Sequence, residues 1–249
     1  IIVFKSKGDD ITLIRDTDIK MIKGDPFQKL QELIDLYSFD YDSEFPFIGG
    51  AVGYLSYDLC HRIERLPRTA IDDVNIPDIY FGFYDGIVII DHLQKKTFVA
   101  TLGVREDREE LLKYIEATIL NNEDKKINIK VSDRYPEIDI TSNFSKDEYI
   151  KSLNKLKNYI KEGDIYQANL TQRFICDIQE SPYDLYKRLR TINPSPFASF
   201  IDFGEGHIVS SSPERFIKIQ DGIIETRPIK GTRPRGMTEE EDKRNKEEL

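Results

Sequence analysis

Two side chains near the end of the sequence have the types and the spacing that a reaction needs. Glu214 lies in SSSPERF (Ser210 to Phe216) and Lys230 lies in ETRPIKGT (Glu225 to Thr232). Between the two segments sits Asp221-Gly222, a strong signal for a two-residue hairpin turn. In a regular hairpin Gln220 faces Ile223, and counting back sets Glu214 opposite Ile229, beside Lys230. Strict alternation then sends Glu214 and Lys230 to opposite faces. Pro213 and Pro228 each remove a ladder donor, however, so a bulge or strand end here would bring both onto one side. A lysine so placed is a nucleophile if burial or nearby cations lower its pKa, and Arg227, Arg233 and Arg235 are the available cations. A carboxylic acid alongside protonates a departing oxygen. An ordinary Glu–Lys salt bridge on a hairpin uses the same two residues, and spacing alone leaves both readings open. The basic cluster Arg227, Lys230, Arg233, Arg235 in an acidic chain favours an anionic ligand.

Other candidates are weaker. The polar positions Gln167, Asn169, Thr171 and Arg173 alternate with apolar ones and read equally as a site or as a solvated strand face. Gly49-Gly50-x-x-Gly53 lacks both the Walker Lys-Ser/Thr and the G-x-G-x-x-G spacing of nucleotide loops. His61, His92 and His207 stand in unrelated contexts, which argues against a Ser-His-Asp triad. With Cys60 and Cys176 they offer no zinc-type spacing, and two buried thiols in a reducing compartment is the expectation.

The elements that must hold these residues follow from periodicity. Asp25 and Pro26 open a helix whose Phe27, Leu30, Leu33, Ile34 and Tyr37 recur on one side. Strands are expected at Ile1 to Phe4, Ile11 to Ile14, Ile79 to Ile90 and Lys96 to Leu102, and a helix over Glu106 to Leu120. The polar stretch Asn121 to Thr141 reads as a surface linker, with domains at 1–140 and 141–249. Beyond it, Ser145 and Glu148 form a capping box, Tyr149, Leu153, Leu156 and Ile160 line one helix face, and Gly163 stops the helix. Ile165 to Ile178 alternates like a strand, and a helix runs from Ser181-Pro182 to Asn193. Strands at Phe197 to Phe203, His207 to Gln220 (broken at Pro213) and Ile223 to Arg227 precede a charged helical tail from Thr238 to Leu249.

Composition sets the outer limits. The chain has 249 residues, 39% hydrophobic, with 13 Tyr, 14 Phe and a net charge of -9, enough apolar material for a core and too little for global disorder. Such an acidic chain is a poor non-specific binder of nucleic acid or anionic membrane. No apolar run approaches the roughly 20 residues that span a bilayer. No signal peptide is evident after Ile1, so a cytoplasmic location is expected.

Four segments in order carry a resemblance: GDIYQANLTQRF (Gly163 to Phe174), NPSPF (Asn193 to Phe197), SSSPERF and RPIKGTRPRG (Arg227 to Gly236). They look like the motif series of the chorismate-utilising enzymes, which include anthranilate synthase and aminodeoxychorismate synthase component I. FIGGAVGYLSYDL (Phe47 to Leu59) is similar to the N-terminal-domain motif of those two synthases. The resemblance implies an α+β fold of antiparallel sheets flanked by helices. It also implies that Lys230 attacks C2 of chorismate, that Glu214 is the acid for the C4 hydroxyl, and that Gln167, Thr232 and Arg227 contact substrate. Family members with Lys in the PIxGT motif are typically aminodeoxychorismate synthases, while anthranilate synthases usually have Ala there. Gln167 stands where water-using relatives carry a lysine base, which suits ammonia as the nucleophile.

Further expectations come with the resemblance. Ammonia would be delivered by a glutamine amidotransferase partner, because Cys60 in DLCHR has no flanking glycines of an amidotransferase motif. Tyr57, Asp58, Pro196 and Phe197 match an amino-acid pocket that holds tryptophan in some relatives. Mg2+ would be bound by glutamates expected beyond Leu249, so the chain reads as truncated at its C-terminus, with residues 141–249 the first half of the catalytic domain. Two alternatives stand beside this reading: anthranilate synthase component I, and a non-catalytic amino-acid-binding or docking fragment.

Overall fold

The computed structural model of the chain describes residues 2–38, 40–121, 138–229 and 231–249. Most of the expected linker and Lys230 itself lie outside the described residues. The chain divides into two compact units: Ile1–Asn128 with Phe200–Ile208, and Ile129–Ser199 with Val209–Leu249.

The first unit is built on β1 (Ile2–Lys7), β2 (Asp10–Arg15) and β3 (Asp18–Lys23), followed by α1 (Pro26–Tyr37) and β4 (Gly50–Leu55). A 3-10 turn (Tyr57–Leu59) runs into α2 (Cys60–Ile63), and then come β5 (Ile79–Tyr84), β6 (Gly86–Asp91), β7 (Lys96–Thr101) and α3 (Arg108–Leu120). Five strands form one antiparallel sheet in the order β3-β2-β1-β5-β4, and β6 and β7 pair separately. The long β run expected over Ile79 to Ile90 is thus two strands, broken at Asp85. β3 and β4 were not expected, since Lys20 and Lys23 interrupt one and glycines the other.

Alternation decides which side of this sheet is dry. Ile2, Phe4 and Ser6 of β1 are buried while Val3, Lys5 and Lys7 are only half-buried, and the register sets Phe4 opposite Phe81 and Leu13. α1 covers the buried side with Leu30 and Leu33 at helical spacing, packing with Ile11, Ile79 and Phe83. Its start follows the sequence: the Asp25 side chain accepts the Phe27 N–H at 2.9 Å, and Pro26 takes the first position. Asp85 organises the corner after β7. Burial alone would raise its carboxyl, but the backbone N–H groups of Val104, Arg105, Glu106 and Gly103 outweigh that and hold it below the usual range.

The second unit holds β8 (Thr141–Ser142), α4 (Lys146–Glu162), β9 (Phe174–Ile175), α5 (Pro182–Ile192), β10 (Phe197–Asp202), β11 (His207–Ser212), β12 (Arg215–Gln220), β13 (Ile223–Arg227) and α6 (Glu239–Glu247). The capping box at Ser145 and Glu148 closes as expected, and Gly163 ends α4 in the left-handed region at φ 84. Ser181 caps α5. Strands β8–β9, β10–β11 and β12–β13 are three separate antiparallel pairs. The tip of the β10–β11 hairpin, Phe200–Ile208, belongs with the first unit, where Phe203 is buried against Tyr54 and Tyr80. Lys5 donates there to the Phe203 carbonyl and to Glu205, both at 2.7 Å.

One expected strand does not form. Of Ile165 to Ile178 only Phe174 and Ile175 are in a ladder, with Thr141 and Ser142 as partners. Alternation marks residues able to line two faces, but a strand exists only where a neighbour takes its backbone bonds, and this segment meets two residues of one. Cys176 is in consequence exposed rather than buried, and Cys60 is half-buried.

Candidate functional site

The hairpin of β12 and β13 is where the candidate chemistry lies. Asp221 (φ 51) and Gly222 (φ 72) both take left-handed conformations, the requirement of a tight turn that matches strand twist. From that turn Gln220 pairs with Ile223, Ile219 with Ile224 and Lys218 with Glu225. Then the register slips: Arg215 pairs with Arg227, so Phe216 and Ile217 together oppose Thr226. This is the bulge that the prolines suggested, and it moves Arg215 one place along its partner. The Glu214 carboxylate accepts the Ile229 N–H at 3.3 Å. The acid therefore sits at the residue immediately before Lys230.

The surrounding charges differ from expectation. Arg227 pairs with Glu225 at 2.9 Å, and Arg215 pairs with the same carboxylate. The Arg227 hydrogen bond is the largest influence on the Glu225 carboxyl; desolvation opposes it, and with the Arg215 hydrogen bond added the carboxyl is held below its usual range. Arg235 pairs with Asp242 at 2.8 Å, and Arg233 lies 4.0 Å from Glu248. Arg227, Arg233 and Arg235 thus each meet an acid, Arg227 sharing its own with Arg215, and the cluster is closer to neutral than its sequence suggests. Three arginines so paired offer a weaker field to an anion than three bare ones. Arg215 and Glu225 have no place in the sequence reading. Arg215 also lies over the Phe197 ring at 5.2 Å, which links the NPSPF segment to this hairpin.

The remaining candidates fall as follows. Thr232 is exposed, and its carbonyl accepts from Arg233 at 3.2 Å. Gln167 is exposed in the irregular stretch after α4, as are Asn169, Thr171 and Arg173; the Arg173 N–H donates to Asn143. Pro196 is exposed and Phe197 half-buried at the start of β10, in the second unit. Behind them Ser211 donates to the Asn193 carbonyl at 2.8 Å and lies 3.0 Å from the Ser195 hydroxyl. Tyr57 and Asp58 belong to the first unit, on an open groove of about 840 Å³ shared with Lys7, Asp9, Arg62 and Asp72. Several charges of that groove pair with one another: Lys7 with Asp72 and Asp78, and Arg62 with Asp9.

Among the described residues no group of three or more His, Cys, Asp or Glu comes together in a way that could hold a metal ion. Among them too, no helix is long and apolar enough to cross a membrane.

Comparison with known proteins bears on what this arrangement is for. Residues 4–249 match the family described as chorismate binding enzyme. The chain is 34% identical to anthranilate synthase component 1 of Acetivibrio thermocellus, over 100% of its own length and 53% of that protein's. It is also 34% identical to aminodeoxychorismate synthase component 1 of Bacillus subtilis (strain 168), over 98% of its length and 53% of that protein's. In structure it matches anthranilate synthase component I from Streptococcus pneumoniae TIGR4 with a TM-score of 0.74 and 26% identity, covering 90% of this chain and 51% of that one. The chain spans about half the length of the curated relatives it matches. The fold is α+β, with antiparallel sheets and flanking helices, as the resemblance implied. A match that runs over nearly every residue, including the bulged hairpin with its Glu214, assigns the chain to the chorismate-binding enzyme family.

Proposed function

We propose that the protein is the chorismate-aminating component of an aminodeoxychorismate synthase. One observation carries this reading: the Glu214 carboxylate accepts the N–H of Ile229, the residue that immediately precedes Lys230 in the chain. In the proposed reaction the Lys230 amine attacks C2 of chorismate, forming a C–N bond as both ring double bonds shift along the conjugated diene and the C4–O bond breaks. Hydroxide is a poor leaving group, and Glu214 gives it a proton so that water departs. Ammonia then adds at C4, both ring double bonds shift back, the C2–N bond breaks and Lys230 is released. The sum is chorismate plus ammonia to 4-amino-4-deoxychorismate plus water. Arg227 and Thr232 serve substrate binding in this scheme, and Gln167, which has no basic group, leaves water unactivated.

The ammonia source is a glutamine amidotransferase partner, and residues 141–249 form the first half of the catalytic domain. Tyr57, Asp58, Pro196 and Phe197 are proposed to line an amino-acid pocket with tryptophan as its occupant. Magnesium belongs to the proposal only with ligands outside the described residues, and no step above runs through it.

The second reading, anthranilate synthase, has equal identity to a relative of that name in its favour. The test is product analysis by mass after incubation with chorismate, Mg2+ and ammonium, for the wild type and for Lys230→Ala and Glu214→Gln. Aminodeoxychorismate from the wild type, lost in both variants, is the expected result. Anthranilate would overturn the branch assignment. An unchanged rate in Lys230→Ala would overturn the covalent step, and chorismate binding with no product from the wild type would favour a docking or binding fragment.

A further inference from the structure

The loop after β13 is held at both ends. At its start the Ile229 N–H is bonded to Glu214. At its far end four successive residues bond to α6. The Pro234 carbonyl accepts from Asn245 Nδ2 at 2.9 Å, and Arg235 pairs with Asp242 Oδ2 at 2.8 Å. The Gly236 N–H donates to Asp242 Oδ1 and the Met237 N–H to Glu241 Oε2, both at 2.9 Å. Asp242 and Asn245 are three apart, on one side of the helix, and both are half-buried while Lys243, Arg244 and Lys246 are exposed. Contact is backbone to backbone at Gly236, where a Cβ would stand 2.1 Å from the Asp242 nitrogen. Only glycine fits there.

The composition of α6 says what kind of contact this is. EEEDKRNKE has no apolar stripe, so burial of hydrophobic surface cannot be what keeps the helix on the loop. Its attachments are hydrogen bonds and ion pairs, most of them to main-chain atoms of residues 234–237. Asp242 uses both oxygens, one on the Gly236 backbone and one on the Arg235 side chain. A carboxylate bonded to a backbone N–H fixes the path of the chain more firmly than a side-chain ion pair on a solvated arginine does.

We infer that α6 is a brace and that Asp242 is a positioning residue, which fixes the path of residues 234–237, a few residues after Lys230 and Thr232 in the chain. The inference rests on the functional reading above. Asp242 touches no reacting atom and acts only by limiting where the loop can go. A misplacement of about 1 Å can cost as much as a hundredfold in rate.

The experiment compares Asp242→Ala, Asp242→Asn and Gly236→Ala with the wild type for kcat and KM in the ammonium-dependent reaction. It also measures amide hydrogen exchange over residues 231–237. Asp242→Ala should lower kcat by about tenfold or more with KM changed less than about threefold, the signature of lost positioning rather than lost binding. Asp242→Asn keeps an oxygen for the Gly236 N–H and should recover most of kcat. Gly236→Ala, which forces the backbones apart, should lose at least as much as Asp242→Ala. Exchange at residues 236 and 237 should quicken in the two alanine variants and not in the asparagine one. Wild-type kcat in Asp242→Ala, or slow exchange in it, overturns the brace. If Asp242→Ala does not fold, Asp242→Asn and Gly236→Ala decide in the same way. A wild type that does not aminate chorismate overturns the functional reading instead, and with it the positioning role, while the exchange data still judge the brace.

Discussion

The two units are made of similar elements and hold them together differently. In the first, Ile2, Phe4, Ile11 and Ile79 are at most 1% exposed, and α1 lies over them with Leu30 and Leu33. In the second, no described residue is buried to that degree, although α4 and α5 are as amphipathic as α1. Ile150, Leu153, Tyr159 and Ile160 stand exposed along α4, and Phe216, Ile219, Ile223 and Ile224 along the β12–β13 hairpin. Local bonds hold the second unit instead: caps, the turn at Asp221-Gly222, and the ion pairs around Glu225 and Asp242. Patterning of a helix states which face is apolar; it does not supply the surface that covers it.

Truncations sharpen that contrast most. Phe4→Ala removes a ring with no solvent contact from a formed core and should cost about 3–5 kcal/mol in denaturant unfolding. Leu153→Ala on α4 removes a side chain that is 40% exposed and should cost under about 1 kcal/mol. Equal losses would mean that the second unit has a core after all.

A smaller effect tests how the first unit fixes its corner. Asp85→Asn leaves one carbonyl oxygen but turns an amide N–H₂ toward backbone N–H groups that need an acceptor. The loss at pH 7 should be about 1–2 kcal/mol, the lower figure applying because the side chain is partly solvated. Its pH course follows from the direction of the shift. The folded carboxyl titrates below the unfolded one, so its contribution is complete above the ordinary carboxylate value of 3.8 and is lost as pH falls through the lowered folded value. The gap between wild type and Asp85→Asn should therefore be constant near neutrality and close under strong acid. A gap that widened on acidification would refute the role given to those N–H groups.

The smallest effect belongs to the second unit. Ser145→Ala removes the cap of α4 and should cost about 1 kcal/mol, seen as faster amide exchange in the first turn rather than as a shift of the first unit. If the whole chain unfolded more easily instead, the two units would share one transition.

Much of this organisation is written locally. The Asp25-Pro26 start of α1, the Ser145–Glu148 box, the Gly163 stop and the Asp221-Gly222 turn are short-range devices in which a side chain or a permitted φ decides the backbone beside it. Each could be read from adjacent letters. Glu214 differs: the count across a regular hairpin sets it opposite Ile229, the bulge shifts that register by one, and it is the Glu214 side chain that reaches the Ile229 N–H. Motif order was enough to point to the family.

What the letters could not state was pairing over distance. Whether Ile165 to Ile178 is a strand depends on a neighbour, and only Thr141 and Ser142 are there to pair with it. That Arg233 and Arg235 each meet an acid depends on how the loop after β13 and the segment of α6 and Glu248 come together. That Phe203 is buried with Tyr54 and Tyr80 depends on a hairpin tip crossing to a sheet formed some 120 residues earlier. Sequence by itself determined the caps, turns, faces and motifs, since these are governed by neighbours along the chain. Tertiary structure decided which faces are covered and which charges are spent, since those depend on contacts that no local pattern encodes.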